Sequence, residues 1–528
     1  MLPGALLAAD KAQPTTAIST TSGKVRGLRS GGLSRFFGIP YGADTGKARF
    51  MPPRAVKPWR GVRDCNELGP KTPQGPITLR GASGRMDPKA PALPIVMAVA
   101  AMTRADIAES EDCLVLNVIT PDASRAKKRP VMVWLHGGGF AMGSGFDPMI
   151  DGSHLAARGD VVYVSLNHRL NALGFLYLGA VHDDFADSGN AGMLDIVLAL
   201  EWVRDNIEAF GGDPDNVTIF GQSGGGAKVS TLMGMTPAKG LFHKAIAMSG
   251  PIVTLVEKED ATEIAERTLA SLGVAKGDVH KLQSLPYRAV VDAASAVRLP
   301  PKDGGLAGRT LAPLMDGRSV PAHPFEPVAS PLSRDVPLMV GYAKDENTLF
   351  MAGDPELGNM SAESARARFD EVLGDKAEAA FTFYSEAYAE LDPSYWISTL
   401  MTDQMFGTGS NIMADRKAEQ GGAPVYAYRV DFEPPVLGGL LRSPHGTEVP
   451  LVFGTKVPEA FVGTGRAVDV LSDRMMAAWL NFAKSGDPSQ DGLVWPEYGT
   501  ELRQTMIFDA PSHVAQQPDT AKLEFWTK

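Results

Sequence analysis

One serine in this chain stands where a nucleophile would. Gly221-Gln222-Ser223-Gly224-Gly225, inside "FGQSGGGAKVSTL" (220–232), fits G-x-S-x-G and is the one such match in the sequence. With 56 glycines in 528 residues, a few tenths of a match are expected by chance on an order-of-magnitude count, so the surroundings decide. "NVTIF" before it reads as a strand and "GGAKVSTLMGM" after it as a helix. In that setting the serine sits on a sharp turn whose glycines let neighbouring backbone pass closely. The helix start aims free N–H groups and a partial positive charge at it. A nucleophile fits this context better than an ordinary glycine-rich turn.

A serine hydroxyl needs a neighbour to take its proton. With a strand-turn-helix serine, the acid and then the histidine follow on loops after later strands. Five histidines come after Ser223: His243, His280, His323, His445 and His513. His243 lies just before the next strand, and His280 and His323 precede the strand "PLMVGY" (337–342). His513 follows a short strand-like "TMIFD" near the end of the chain. His445, in "LLRSPHGTEVP" after the strand "VYAYRVDF" (425–432), is the expected base. The expected acid lies in "VPLMVGYAKDEN", where Asp345 and Glu346 are adjacent; one should face inward and the other is expected to be a solvated loop charge. Attack on a carbonyl also needs donors for the tetrahedral oxyanion. "LHGGGF" (135–140) follows the strand "VMVWL" (131–135) and offers the N–H groups of Gly138 and Gly139, with Gly224 as the third. Loss of one such donor typically costs ~3–4 kcal/mol of transition-state stabilisation. A phosphate-binding loop would need a Lys-Ser/Thr pair after the glycines, and none follows Gly139. His136, ahead of the serine, reads as structural.

These groups need a frame. Nearly continuous apolar runs at 131–135, 161–166, 217–220, 245–249, 337–342 and 425–432 read as strands covered on both faces. Between them "GMLDIVLALEWVRDNIEAF" (192–210) places Leu194, Val197, Leu198 and Val203 at helical spacing. Alternating β and α elements predict an α/β fold, with a largely parallel sheet flanked by helices. The stretch 75–107 breaks this rhythm. It is read either as a buried packing segment or as a loop covering the site, with Met97 and Met102 as candidates for an adaptable apolar wall. Residues 350–420 read as mostly helical, above or beside the sheet. No linker divides the chain: 1–19 is expected to be a tail, and 20–528 a single domain.

Composition narrows the classes. Hydrophobic residues make 44% and charged ones 21%, a globular balance, and the net charge of −10 offers no case for nucleic acid or an anionic membrane. No apolar run approaches the ~18 residues of a membrane span. Cys65 and Cys113 are the only cysteines, so no zinc cluster or disulfide framework is expected, and two unpaired thiols are the plainer reading. The opening "MLPGALLAADKAQPTT" is either the trimmed end of an export signal or a frayed end. The first implies a periplasmic or secreted protein, the second a cytoplasmic one.

The chain resembles the type-B carboxylesterases, the family of bacterial para-nitrobenzyl esterases and, more distantly, cholinesterases. "FFGIPYG" (36–42), "SEDCLVLNV" (110–118), "LHGGGF", "NHRLNALGFL" (167–176), "GNAGMLDIVLALEWVRDNI" (189–207), "FGGDPDNVTIFGQSGGG", "AMSG", "GYAKDEN", "PHGTEVPLVFG" and "NFAKSGDP" carry the resemblance from about Gly23 to Tyr498. It implies an α/β-hydrolase sheet with helical insertions around a deep pocket and a Ser223–Glu346–His445 triad, which selects Glu346 over Asp345. Two departures stand out. Many relatives carry glutamate before the nucleophile and alanine after it, where this chain has Gln222 and Gly224. The partner that "SEDCL" cysteines have in secreted relatives falls at Thr72, so that disulfide does not carry over.

The reading is therefore a cofactor-independent serine esterase, with no metal, acting on a small-molecule ester through an acyl-enzyme. It is expected to be a monomer or small homo-oligomer. Gln222, Met97 and Met102 are candidate substrate contacts. No aromatic residue lies between Cys65 and Cys113, where cholinesterase relatives carry a cation-binding tryptophan. A neutral, apolar substrate is expected. The alternatives are a catalytically silent binding or adhesion member of the same fold, or a hydrolase of carbamates, amides, lactones or thioesters.

Overall fold

The computed structural model describes residues 12–75, 87–102, 106–300 and 310–527. Twelve strands form one sheet: β1 (Gln13–Pro14), β2 (Leu28–Ser30), β3 (Leu33–Pro40), β4 (Val115–Thr120), β5 (Arg129–Leu135), β6 (Val162–Leu166), β7 (Gly212–Gln222), β8 (Lys244–Met248), β9 (Leu338–Ala343), β10 (Val425–Val430), β11 (Thr505–Phe508) and β12 (His513–Ala515). Their spatial order is β1-β2-β3-β4-β6-β5-β7-β8-β9-β10-β11-β12. From β6 to β11 every pairing is parallel, while β1 to β4 and β12 pair antiparallel at the two sides. Three short strands (Ile18–Ser19, Lys24–Arg26, Val62–Asp64) make a second small sheet. Within the stretch expected as a tail, Gln13–Pro14 pairs with Leu28 and Arg29, and residues 1–11 lie outside the described residues.

The apolar runs are continuous because each face of the sheet has its own core. In β5, Val131, Val133 and Leu135 enter one buried cluster with helix residues such as Ile196 and Val229. Met132 and Trp134 point the other way, into a cluster with Phe453 and Trp479. The helix expected from residue 192 runs as Ala191–Asn206, with a 3₁₀ turn to Phe210. Its deepest stripe is Met193, Ile196, Leu200 and Val203, at three- and four-residue spacing; Leu194 and Leu198, expected on the core face, are only half-buried. Periodicity alone does not distinguish these two stripes, because the helix is covered over most of its circumference.

Two motifs turn out to be scaffolding. The Arg169 guanidinium reaches the Asp195 carboxylate at 2.6 and 2.8 Å, and both side chains are buried. This ties "NHRLNALGFL" to the helix 191–206. Asn167 accepts from Gly145 N–H and donates to the Pro70 carbonyl, which fixes the loop after β5.

The segment 75–107 contains a helix, Leu93–Ala100, with a proline in its first turn. Ile95 anchors it in a cluster with Phe369, Tyr384, Trp396 and Leu400. The region 350–420 is helical as expected, with helices at 362–373, 377–387, 393–402 and 408–419. Cys65 and Cys113 are both free and buried. Burial, as the main cause, pushes their thiols up, Cys113 to about 12 and Cys65 to about 11. No helix among the described residues is long and apolar enough to cross a membrane.

Candidate active site

β7 ends at Gln222, and the helix Gly224–Leu232, here α1, begins two residues later. The reversal is compressed into Ser223, at φ 58° and ψ −126°, a conformation costly for a residue with a Cβ. Its N–H is held by the Met248 carbonyl at 2.8 Å. The flanking glycines are required by packing: a Cβ on Gly221 or on Gly225 would collide with the Leu135 carbonyl. Sequence and geometry therefore agree on why this turn contains glycines at both positions.

Glu346 follows β9 and His445 follows β10. Nδ1 of His445 and Oε2 of Glu346 are hydrogen-bonded, and Oε1 accepts from Ala343 N–H at 2.8 Å. Glu346 is fully buried. Burial disfavours the His445 imidazolium, but Glu346, through its charge and its hydrogen bond, outweighs this and raises the pKa above the ordinary 6.5. Phe350 and Phe406 flank the imidazole at 5.0 and 4.9 Å between ring centres. Among the described residues no hydrogen bond joins Ser223 Oγ to His445. The Gln222 amide nitrogen lies 3.3 Å from His445 Nε2, and such contacts are commonly loose before substrate binds.

Asp345 corrects an expectation. It is buried rather than solvated: Arg442 Nε meets Oδ1 at 3.0 Å, and Ser443 N–H meets Oδ2 at 3.4 Å. The pair ties β9 to the loop carrying His445.

The loop after β5 approaches the serine turn closely. Gly138 and Gly139 have φ of 88° and 63°, a region that favours glycine. A Cβ on Gly137 would stand 3.6 Å from Ser223 Cβ, and one on Gly224 would collide with Gly139 backbone. The glycine at 224, where many relatives have alanine, thus permits this close approach. N–H groups of Gly138, Gly139 and Gly224 meet no acceptor among the described residues.

A cleft of about 280 Å³ opens beside this loop, lined in part by Val99, Met102, Trp134, Met142, Met149 and Val449, and also by Gly138 and Gln222. Its size is near the lower end for small-molecule sites. Met102 borders it, whereas Met97 points to solvent at 53% exposure. The helix is apolar all round, and Ile95 takes the inward side, which leaves Met97 on the outer one. Met142 lies in the loop after β5 and Met149 in a short 3₁₀ turn (Pro148–Ile150), too short for a periodic signal.

Sequence reasoning missed a second buried carboxylate. Glu448, three residues after His445, is fully buried and accepts from Ser249 Oγ at 3.0 Å. Burial and then the nearby Glu346 charge push its pKa up to about 7. "AMSG" and "PHGTEVP" contained both residues, but only the fold brings them together. The other histidines are placed elsewhere: His243 accepts from Val217 N–H, His323 contacts Glu257, and His136 stacks on His168 at 4.9 Å. His182, Asp184 and His280 cluster at the surface.

A parallel sheet with a strained serine turn after β7, and a buried glutamate–histidine pair on the loops after β9 and β10, is the architecture of the α/β-hydrolases. The chain matches the carboxylesterase family over residues 14–526. It belongs to that family and is a carboxylic-ester hydrolase. It is 35% identical to para-nitrobenzyl esterase of Bacillus subtilis over 515 residues, covering 96% of this chain and 97% of the relative. Phenmedipham hydrolase of Pseudarthrobacter oxydans is 32% identical, with 91% and 92% covered. A solved Geobacillus stearothermophilus carboxylesterase superposes with a TM-score of 0.82 at 35% identity, covering 97% of this chain and all of that one.

Proposed function

We propose that the chain hydrolyses neutral carboxylic esters through an acyl-enzyme on Ser223. His445 Nε2 takes the serine proton as Oγ attacks the carbonyl carbon. Glu346 orients the imidazole through Nδ1 and stabilises its charged form. Gly138, Gly139 and Gly224 N–H groups hold the oxyanion. The alcohol leaves with the proton from His445, and water then attacks the acyl-enzyme by the same route.

The observation that carries this reading is the convergence of the strained Ser223 turn, the buried Glu346–His445 pair and the unengaged glycine N–H groups. The methionine- and aliphatic-lined cleft favours an uncharged acyl or alcohol group. The neutral Gln222 beside the nucleophile points the same way. A fluorophosphonate should label the intact protein at Ser223, and para-nitrophenyl esters should be turned over. Absence of both labelling and turnover in folded protein would return the chain to a silent binding member of its fold.

A further inference from the structure

Lys228 is an ionisable group that the proposed chemistry does not use. It sits five residues after Ser223 on α1 and is fully buried. No carboxylate pairs with it among the described residues. A buried amine without a counter-charge is costly, so its contacts are informative. Nζ donates to the His136 carbonyl at 2.8 Å and to the Gly139 carbonyl at 3.0 Å. These two carbonyls bracket Gly137 and Gly138. The Phe140 ring lies 5.5 Å from Nζ. Burial pushes the amine down to about 7. An amine can donate two hydrogen bonds whether or not it carries the extra proton, so the bridge does not depend on charge.

The loop needs such a bridge. Three consecutive glycines have no side chains to lock them, and two adopt positive φ. Oxyanion donors are effective only when preorganised. Gly224, the third donor, lies on the same helix as Lys228, one turn earlier. A tether from Lys228 therefore references the loop donors to the helix that carries the third.

We propose that Lys228 is a positioning residue of the oxyanion hole, strapping both ends of the Gly137–Gly139 loop to α1 so that Gly138, Gly139 and Gly224 N–H groups converge. This rests on the esterase reading above.

The test is Lys228→Met, which fills similar space without a donor. The expected result is a kcat lower by about 10²-fold, the scale of one lost oxyanion donor, with KM changed by less than about threefold. Inhibition by an aryl trifluoromethyl ketone, whose adduct carries an oxyanion, should weaken in parallel with kcat. Fluorophosphonate labelling should be slower but reach the wild-type stoichiometry, showing that the protein is folded. If kcat and ketone inhibition both stay within about threefold of wild type, the proposal is overturned. Should the methionine variant not fold, Lys228→Leu, which also lacks a donor, carries the same expectation. Failure of both to fold assigns Lys228 to stability and also overturns it. Wild-type protein that neither hydrolyses esters nor labels would instead overturn the esterase reading.

Discussion

At the scale of single residues, the proposed chemistry makes sharp demands. Ser223→Ala and His445→Ala should each lower ester turnover by several orders of magnitude, and the double variant should be little worse, because each disables the same unit. A single variant retaining a tenth of wild-type kcat would remove that residue from its role. The two acids separate by what they hold. Glu346→Gln should reduce kcat strongly because the imidazolium loses its partner. Asp345→Asn should act on stability, since it weakens a buried pair with Arg442; thermal unfolding and kcat measured on the same samples distinguish the two. For pH, the sign follows from His445. Burial lowers its pKa, but Glu346 raises it further, so the net folded value lies above 6.5. Only the neutral ring accepts the serine proton, so kcat/KM should rise with pH through a limb centred above 6.5. The same shift stabilises the fold fully below the unfolded value, and that contribution is lost as pH rises through the folded one. A rate that is flat from acidic to neutral pH would exclude His445 as base.

At the scale of elements, the serine turn and the glycine loop behave as one packed unit. Gly224 touches Gly139 so closely that a methyl group has no room. Gly224→Ala should therefore push the loop away from α1 and lower kcat by about tenfold or more, with a smaller effect on KM. Many relatives carry alanine here, so the prediction concerns the loop position in this chain. Steady-state kinetics on the variant checks it, and an unchanged kcat would mean that the loop yields without moving its donors.

At the scale of the whole molecule, the sheet delivers Glu346 and His445 from separate strands, and the helices from 350 to 420 wall the imidazole with Phe406. Among the described residues the cleft contains three methionines and Trp134 but no cage of aromatic faces for a quaternary ammonium. Neutral aryl or alkyl esters should have much higher kcat/KM than choline esters of the same acyl chain. The fair comparison sets a choline ester against its isostere with carbon replacing nitrogen; a preference for the cationic member would overturn the neutral-pocket reading. The scaffold makes its own prediction. Asp195→Ala leaves Arg169 buried and unpaired, which should cost about 3–5 kcal/mol of stability, read from denaturant unfolding.

The sequence by itself determined the strand-turn-helix around Ser223 and the glycine loop, because these depend on local chemistry. Gly221 and Gly225 are there because backbone passes within collision range, and a glycine pattern records that directly. Parallel strands were equally legible, since both faces are apolar. The antiparallel strands at 33–40 and 115–120 escaped notice, as did the inward stripe of the helix 191–206, where burial on most sides blurs periodicity. Only the tertiary structure decided that Asp345 is buried against Arg442, that Glu448 and Ser249 meet behind the Glu346–His445 pair, and that Lys228 reaches the carbonyls of His136 and Gly139. Each of these depends on which segments pack together across tens to hundreds of residues, and a carboxylate or lysine in a loop or helix looks the same in sequence whether it faces water or the core.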